Sequence, residues 1–427
     1  MSTGIDILKI SRLENLIKNE KFLNKVFSKK EIEYFKTRNF NLSTVAGNFC
    51  AKEAFSKSIG TGVRDFSLNE ISVLRDELGK PYYEFSQNIK DILKLNHIEE
   101  VCVTISHEKE YAIAYAYTKT GMNYDKFLVA TSKSKVADDS IINFDMVKNI
   151  LPKRKENSHK GTYGKLFVVA GSKGLTGAAR LCCEAALKCG SGLVTLGCPS
   201  SLNNIFEICL KEVMTYPLDD ENGVLSKKCE DKISDKLNTS DVVLFGCGLS
   251  KNDDIKYLLG KIIESSNIPL IIDADGINVL AKNINVLMNH RQQIVLTPHM
   301  AEFARLVDKD IDFVLQNSDK LAREFAQKYN VYLVLKSHNT KVFLPDGSVY
   351  KNILGNSGMA TGGTGDVLAG IIASFLGQNL DFANSIILGV YVHSLAADMA
   401  ALEYGEYSLA PTDIVNHIAY VLKYLGG

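Results

Sequence analysis

The spacing of apolar and polar positions changes character twice along the chain. A short apolar run at the start, Ile5-Asp6-Ile7, predicts a strand. Helical spacing follows over roughly 13–35, and a second helix is predicted over 43–59, with Gly60 placed to end it. Strand-like runs stand at 68–75 and 81–85 around the turn Gly79-Lys80-Pro81, and again at 101–106 and 111–117. The last run alternates large and small residues from Tyr111 to Tyr117, as a half-buried strand does. Residues 119–145 carry Lys, Ser, Thr, Asp and Asn with little periodicity and read as a linker. Beyond 146, short apolar runs at 166–170, 242–245, 269–273, 294–296 and 332–335 alternate with helical stretches. That alternation predicts a mainly parallel sheet with helices on both faces. The expected organisation is an α+β unit over 1–118, a linker over 119–145 and an α/β unit over 146–427.

Length and composition agree with two domains. A chain of 427 residues exceeds one ordinary core, and 46% hydrophobic with 23% charged residues is the balance of a soluble globular protein. A formal net charge of +0 argues against a general nucleic-acid or membrane binder, which would carry a basic excess. No run of about 18 apolar residues stands out, so no membrane span is expected. The N-terminal residues lack a basic segment followed by an apolar one, so no secretory signal is expected. Nine cysteines without a Cys-x-x-Cys pair read as reduced thiols and point to a cytoplasmic protein.

Two carboxylates near the start are candidates for metal chemistry. Asp6 closes an apolar run, where a strand-end or capping carboxylate is the plain alternative. Glu53 shares a helical face with Phe49 and Lys57, where an exposed ion pair worth a few tenths of a kcal/mol is the plain alternative. Several local patterns occur in order: Gly4-Ile5-Asp6-Ile7, Ala51-Lys52-Glu53-Ala54-Phe55-Ser56-Lys57 with Gly60-Thr61-Gly62, Gly79-Lys80-Pro81, and Ser106-His107-Glu108 before Tyr111-Ala112. As a set they resemble the acyl-carrier-protein synthase family of phosphopantetheinyl transferases over residues 1–118. The resemblance implies transfer of phosphopantetheine from coenzyme A to a serine of acyl carrier protein, a step in fatty acid biosynthesis. It implies Asp6 and Glu53 as ligands of Mg²⁺, Lys57 as a phosphate contact and His107 as a nucleotide-side contact. Two close carboxylates repel by roughly 4 kcal/mol at 4 Å and moderate effective dielectric, and Mg²⁺ between them removes that cost while clamping phosphate oxygens. The family often carries Arg where this chain has Asn48, which puts one phosphate contact in doubt. Family members are commonly trimers, so homo-oligomers are expected. A unit that merely docks carrier protein is the non-enzymatic alternative, and the retained Asp6 and Glu53 argue against it.

The densest signal is the segment from Asn356 to Gly370, with Gly362, Gly363 and Gly365 followed by Asp366 and an apolar helical run. Such glycines let the backbone turn tightly and aim several N–H groups inward, and the helix N-terminus adds partial positive charge. An anion hole beside a carboxylate suits phosphoryl transfer, with Asp366 taking a proton from the attacking hydroxyl. A glycine-rich loop with Asp366 as a helix cap is the plain alternative. No Gly-Lys-Ser/Thr closes the loop, and no dinucleotide fingerprint follows the run at 166–170. Gly362-Gly363-Thr364-Gly365-Asp366 resembles the anion-hole motif of ribokinase-like folds.

Upstream stand His159-Lys160-Gly161-Thr162-Tyr163-Gly164-Lys165, Gly171 to Ala179, Gly190-Ser191-Gly192-Leu193-Val194, Asp273-Ala274-Asp275-Gly276 and Thr297-Pro298-His299-Met300-Ala301-Glu302. With the glycine-rich loop this set is similar to the ADP-dependent NAD(P)H-hydrate dehydratases over 146–427. The implied fold is a ribokinase-like three-layer α/β domain behind the N-terminal α+β transferase-like domain. The resemblance implies that Lys336, Ser337, His338, Asn339 and Thr340 contact the ADP or AMP part, Gly365 supports the phosphates, and Asp366 is the base. It implies that His299, Gly248 and Ala178 line the hydrated-nicotinamide side. Two departures bear on backbone detail: Ser337 follows Lys336 where the family usually has glycine, and Gly246-Cys247-Gly248-Leu249-Ser250 stands for Gly-Pro-Gly-Leu-Gly. The implied chemistry is phosphorylation of the ring hydroxyl of (S)-NADH or NADPH hydrate by ADP, then elimination of phosphate, releasing AMP. A ribokinase-like vitamin or sugar kinase is the alternative for this unit. The family's companion epimerase is not visible in the sequence.

Overall fold

The computed structural model describes residues 2–60, 62–96, 98–120, 124, 128, 140–151, 153–154 and 156–426. Its chain divides into two compact units, Met1–Tyr124 and Asp125–Gly427. The expected linker lies mostly outside the described residues, but its two edges differ from the expectation. Lys119 and Thr120 extend a strand through pairing with Glu100 and Ile98. Ile141 bridges Lys351, and the Phe144 ring lies 5.0 Å from that of Tyr424, so these residues belong to the second unit.

In the first unit β1 (Ser2–Lys9) pairs antiparallel with β5 (Tyr111–Thr120), which pairs antiparallel with β4 (Ile98–Glu108). A separate hairpin joins β2 (Ile71–Arg75) and β3 (Pro81–Phe85). The helix Leu42–Ser58 lies across the sheet. Gly4 permits the approach, because a Cβ there would stand 2.0 Å from the Ala54 carbonyl oxygen. The single helical stretch expected over 13–35 is broken into Glu20–Val26 and Lys29–Thr37. The reason is capping: Asn19 accepts from Lys21 and Phe22 amides, and Ser28 with Glu31 forms a reciprocal capping box. Residues 68–70 are a 3₁₀ turn rather than strand.

A fully buried polar network ties this unit together. The Lys52 ammonium donates to Glu31 at 2.6 Å and to the carbonyls of Val26, Leu68 and Ile71, with both charged side chains fully enclosed. Asn48 donates to Glu31 Oε1 at 3.1 Å and to the Val73 carbonyl at 2.8 Å, and accepts from Arg75 at 3.1 Å.

The second unit is built on a nine-stranded sheet. Seven parallel strands are β6 (Lys165–Val169), β7 (Leu193–Pro199), β8 (Met214–Leu218), β11 (Val242–Phe245), β12 (Leu270–Ile272), β13 (Ile294–Leu296) and β14 (Tyr332–Leu335). The antiparallel edge is β15 (Lys341–Phe343) and β16 (Val349–Lys351), while β9 (Asp220–Glu221) and β10 (Val224–Leu225) form a small separate ribbon. Across the sheet the order is β16-β15-β14-β13-β12-β11-β6-β7-β8. Phe167, Val169, Val243, Phe245, Leu270 and Ile272 face one core with the helices Asp253–Ser265 and Ile311–Tyr329. The helices Thr176–Lys188, Thr364–Gly377, Phe382–Tyr404 and Pro411–Tyr424 pack together on the other face. This is the expected three-layer α/β architecture. Both faces are covered, so the strands read as short apolar runs without alternation.

The helix Phe382–Tyr404 is long and apolar enough to cross a membrane by length and composition, but 83% of its apolar window is buried inside the unit. Its predominantly apolar make-up reflects enclosure by neighbouring helices.

Replacing Lys52 by Met removes the counter-charge of a buried carboxylate. Lys52→Met is expected to destabilise the first unit by about 3–5 kcal/mol, and adding Glu31→Met to recover part of that loss. Urea unfolding of the full chain followed by circular dichroism checks both.

Candidate active sites

In the second unit the functional side chains gather where the parallel strands end. Open α/β sheets bind ligands outside the carboxyl ends of their strands, near the point where strand order reverses. Here the reversal lies between β6 and β11. Gly171 N donates to Cys247 O at 2.9 Å across it, and Ser172 Oγ to Gly248 O at 2.8 Å. Gly248 adopts φ +65, and a Cβ there would meet Leu175 O at 2.8 Å and the Ala178 methyl at 3.0 Å. Ala178 and Gly248 are thus brought against each other at the switch point.

Next along the sheet, Asp273 follows β12 and is enclosed. Its Oδ1 accepts from Thr297 Oγ1 at 2.7 Å and from Lys336 Nζ at 2.8 Å. Lys336 follows β14, and its own amide donates to Pro298 O at 2.9 Å. The glycine-rich turn rests on that ammonium: a Cβ at Gly365 would lie 3.1 Å from Lys336 Nζ. Gly363, at φ +102, makes the turn into the helix Thr364–Gly377. Asp366 therefore sits in the first turn of that helix, half-buried, with Cys247 and Asp273 beside it. One ligand atom from each of the three lies within 4.8 Å of the others. Burial pushes the Asp366 carboxyl up to about 6; the charge of Asp273 adds to the rise, while the Cys247 thiol and Lys336 oppose it. Lys336 already supplies the cationic partner of Asp273, so the cluster has the make-up of a proton-accepting site rather than a metal centre.

A cavity of ≈ 680 Å³, the size of a small-molecule site, lies beside this cluster: Lys336 and Gly365 line it, whereas Asp366, Asp273 and Cys247 are not on its wall. Lys336, Ser337, His338 and Thr340 form one wall and the glycine-rich turn with Gly365 the other. Asn339 is not on the wall; its carbonyl accepts from Ser337 Oγ at 2.8 Å. His299 is on this wall, whereas Ala178 and Gly248 are not, so the structure divides the three residues expected on the nicotinamide side. The His299 ring also serves the local fold, because Nδ1 accepts from the amides of Ala301 at 3.2 Å and Glu302 at 3.3 Å, capping the helix Met300–Leu306. Burial and the charge of Lys336 depress its pKa.

Some wall residues were not expected from the sequence. His393 and Ser394 reach the cavity from the buried helix Phe382–Tyr404, and His393 Nε2 meets the Thr364 carbonyl at 3.0 Å. Asp398 on the same helix holds the loop opposite, accepting from the Gly355 amide and the Asn356 side chain at 2.9 Å each. Their signal was present: polar residues in an otherwise apolar helix mark positions that must find partners. The Thr364 hydroxyl is buried beside the turn without a hydrogen-bond partner among the described residues.

In the first unit, Gly4, Asp6 and Leu8 face the helix Leu42–Ser58, which carries Glu53 and Lys57. Lys57 Nζ binds Asp6 Oδ1 at 2.8 Å and the Ile5 carbonyl at 2.9 Å, so the residue expected to meet phosphate instead holds Asp6 here. Burial raises the Glu53 carboxyl, and the charge of Asp6 raises it further against the pull of Lys57. Two partly buried carboxylates brought to one edge form a donor set suited to Mg²⁺. The register places His107 in the row of Ala112 and Leu8, on the same sheet face as Asp6. Asn48 is fully enclosed in the Glu31 network, bonded to Glu31 and the Val73 carbonyl.

The comparisons with known proteins follow this division. Residues 2–116 match the 4'-phosphopantetheinyl transferase superfamily, and residues 166–419 match the NAD(P)H-hydrate dehydratase family. A bifunctional NAD(P)H-hydrate repair enzyme of Moorella thermoacetica is 34% identical over 330 residues, covering 74% of this chain and 62% of that protein. An ADP-dependent (S)-NAD(P)H-hydrate dehydratase of Staphylococcus aureus is 33% identical over 279 residues, covering 64% of this chain and 94% of that protein. The ADP/ATP-dependent NAD(P)H-hydrate dehydratase of Bacillus subtilis, crystallised with ATP and Mg²⁺, superposes with a TM-score of 0.59 at 25% identity over 68% of this chain and all of that one. The chain spans 62% and 57% of the length of the first two bifunctional relatives. With its larger unit matched in sequence and fold, and a transferase-superfamily unit ahead of it, the chain belongs to the NAD(P)H-hydrate dehydratase family.

Proposed function

We propose that the second unit dehydrates (S)-NADH and NADPH hydrate at the expense of ADP, repairing damaged nicotinamide cofactors. The carrying observation is the place of Asp366. It directly follows Gly365 of the cavity wall, and its carboxylate lies within 4.8 Å of Cys247, the residue before Gly248, which packs against Ala178 at the strand-order switch. A nucleotide phosphate in the cavity would meet the glycine-rich turn and the Lys336 charge. A hydrated ring at the switch point would present its hydroxyl to Asp366. Asp366 takes the hydroxyl proton, the oxygen attacks the terminal phosphorus of ADP, and AMP leaves. The phosphate ester then eliminates as the ring nitrogen lone pair delocalises and a neighbouring carbon gives up its proton, yielding NAD(P)H and phosphate. The same turn would serve a kinase; family membership selects the dehydratase.

For the first unit we propose Mg²⁺-dependent transfer of phosphopantetheine from coenzyme A to acyl carrier protein, through Asp6 and Glu53. The bound ion would supply charge neutralisation at the pyrophosphate. Lys57, now held by Asp6, would become available when the ion takes that carboxylate. An apolar patch on β1 and β5, with Ile5, Ile7, Tyr111 and Tyr115 between 41% and 62% exposed, supports a homo-oligomer formed through this sheet face. The nine unpaired cysteines support a reducing, cytoplasmic setting.

Asp366→Asn should lower turnover of hydrated NADH with ADP by about 10²–10⁴ while ADP still binds, read from the rise in NADH absorbance and by calorimetry. Asp6→Ala or Glu53→Ala should abolish carrier-protein modification, as should chelation of divalent cations, and leave hydrate dehydration at the parental rate. Ile7→Asp is expected to reduce the assembly to a smaller species by light scattering, because it places a charge in the apolar sheet face.

A further inference from the structure

We propose that Asp273 is a positioning residue for the dehydration step: its enclosed carboxylate, shared between Lys336 and Asp366, fixes the charge and orientation of the base. The inference rests on Asp366 acting as that base. Asp273 is 1% exposed and makes no cavity wall, and its side chain meets Thr297, Lys336 and Cys247. Oδ1 takes the Thr297 hydroxyl at 2.7 Å and the Lys336 ammonium at 2.8 Å. Oδ2 is left toward Gly365 and Cys247, at 3.9 Å from the Cys247 thiol and 3.9 Å from where a Gly365 Cβ would stand. Oδ1 is thus paired with the ammonium, and the Asp273 carboxylate as a whole lies within 4.8 Å of that of Asp366.

The backbone holds this arrangement firmly. Asp273 N donates to Phe245 O at 3.1 Å, and Gly276 N donates to Asp273 O at 2.9 Å. A Cβ at Gly246 would lie 1.9 Å from that same oxygen, so two strand ends are in direct backbone contact. Ala274 adopts φ +50 and ψ −114, a left-handed conformation costly for a residue with a side chain. Strain of this kind persists where the surroundings over-determine it, and here it re-aims the chain immediately after Asp273.

The groups that face Asp366 come from every element around it. Asp273 and Asp275 lie at the end of β12 and the start of the next helix, Cys247 after β11, Cys182 on Thr176–Lys188 and Lys336 after β14. His393, from Phe382–Tyr404, faces the Thr364 carbonyl and is pushed down to about 4 by burial, so it is neutral in the working range. Lys336 alone would favour the ionised base, too weak a proton acceptor for an alcohol. The Asp273 charge offsets it, keeping Asp366 ionised at neutral pH yet close to its own titration. The rate should fall as pH drops through about 6, where Asp366 takes up its proton.

The test is the pH dependence of turnover of hydrated NADH with ADP, in the full chain. Removing a like charge lowers the proton affinity of Asp366, so Asp273→Asn should move the acid limb down by about one pH unit and lower the plateau about tenfold. Asp273→Glu should return the limb toward the parental position. Thr297→Val removes one hydrogen bond from Asp273 Oδ1, leaves its charge less compensated, and should move the limb up by about half a unit. Thr297→Val tests the same coupling with opposite sign if Asp273→Asn does not fold. An acid limb that stays in place in the variants that fold overturns the assignment of Asp273. Parental turnover in Asp366→Asn overturns instead the base on which it rests, so the two failures are distinct.

Discussion

An ammonium group held between an enclosed carboxylate and a turn of glycines is the constraint on which the second unit's site depends. Lys336 reaches Asp273 and lies directly beneath Gly365. Any side chain at that glycine would press on the ammonium, and any loss of the Asp273 partner would leave a charge in an enclosed position. The carboxylate, the lysine and the turn therefore fix one another. Lys336 and Gly365 also line a cavity, and the Asp366 carboxylate follows directly on that wall in the chain.

The sheet makes this economical. Asp273, Thr297, Lys336 and Cys247 each follow closely on the end of a parallel strand, so strand register sets their mutual distances. Apolar side chains on both faces lock that register. The helix bearing Asp366 is nearly all enclosed and packs on the opposite face from Asp253–Ser265. Its N-terminus is delivered to the strand ends by packing, and its dipole adds to the positive field over the turn. The first unit solves a similar problem with fewer parts. One helix crosses one sheet, and Gly4 allows them close enough for Asp6 to share an edge with Glu53 and Lys57.

The two units differ in how charge is enclosed. In the first, Lys52 and Glu31 are sealed with carbonyl partners and hold the helix against the hairpin; they are far more deeply enclosed than Glu53, the neighbour of Lys52 in the chain. In the second, only the lysine of the enclosed pair stands at a cavity wall, where 19% of the Lys336 side chain remains accessible. Sealed pairs order a fold, while pairs open on one side can meet a ligand.

Local patterns alone settled much of this. The helix ending at Gly60, the hairpin around Gly79-Lys80-Pro81, the five central strand runs and the glycine-rich turn before Asp366 are written in short stretches whose conformational preferences act within a few residues. What only the tertiary structure decided are the long-range pairings. The strands Leu193–Pro199 and Met214–Leu218 and the antiparallel edge strands Lys341–Phe343 and Val349–Lys351 were not among the predicted runs. Asp398, His393 and Ser394 gain meaning only where their helix meets the cavity, and Asp273 stood in a recognised motif without a role. Lys57 was expected at phosphate and is held by Asp6, and His299 caps a helix while walling the cavity. Electrostatics and enclosure depend on distance in space, and a linear sequence does not encode which distant carboxylate an ammonium will find until the sheet has brought the strand ends together.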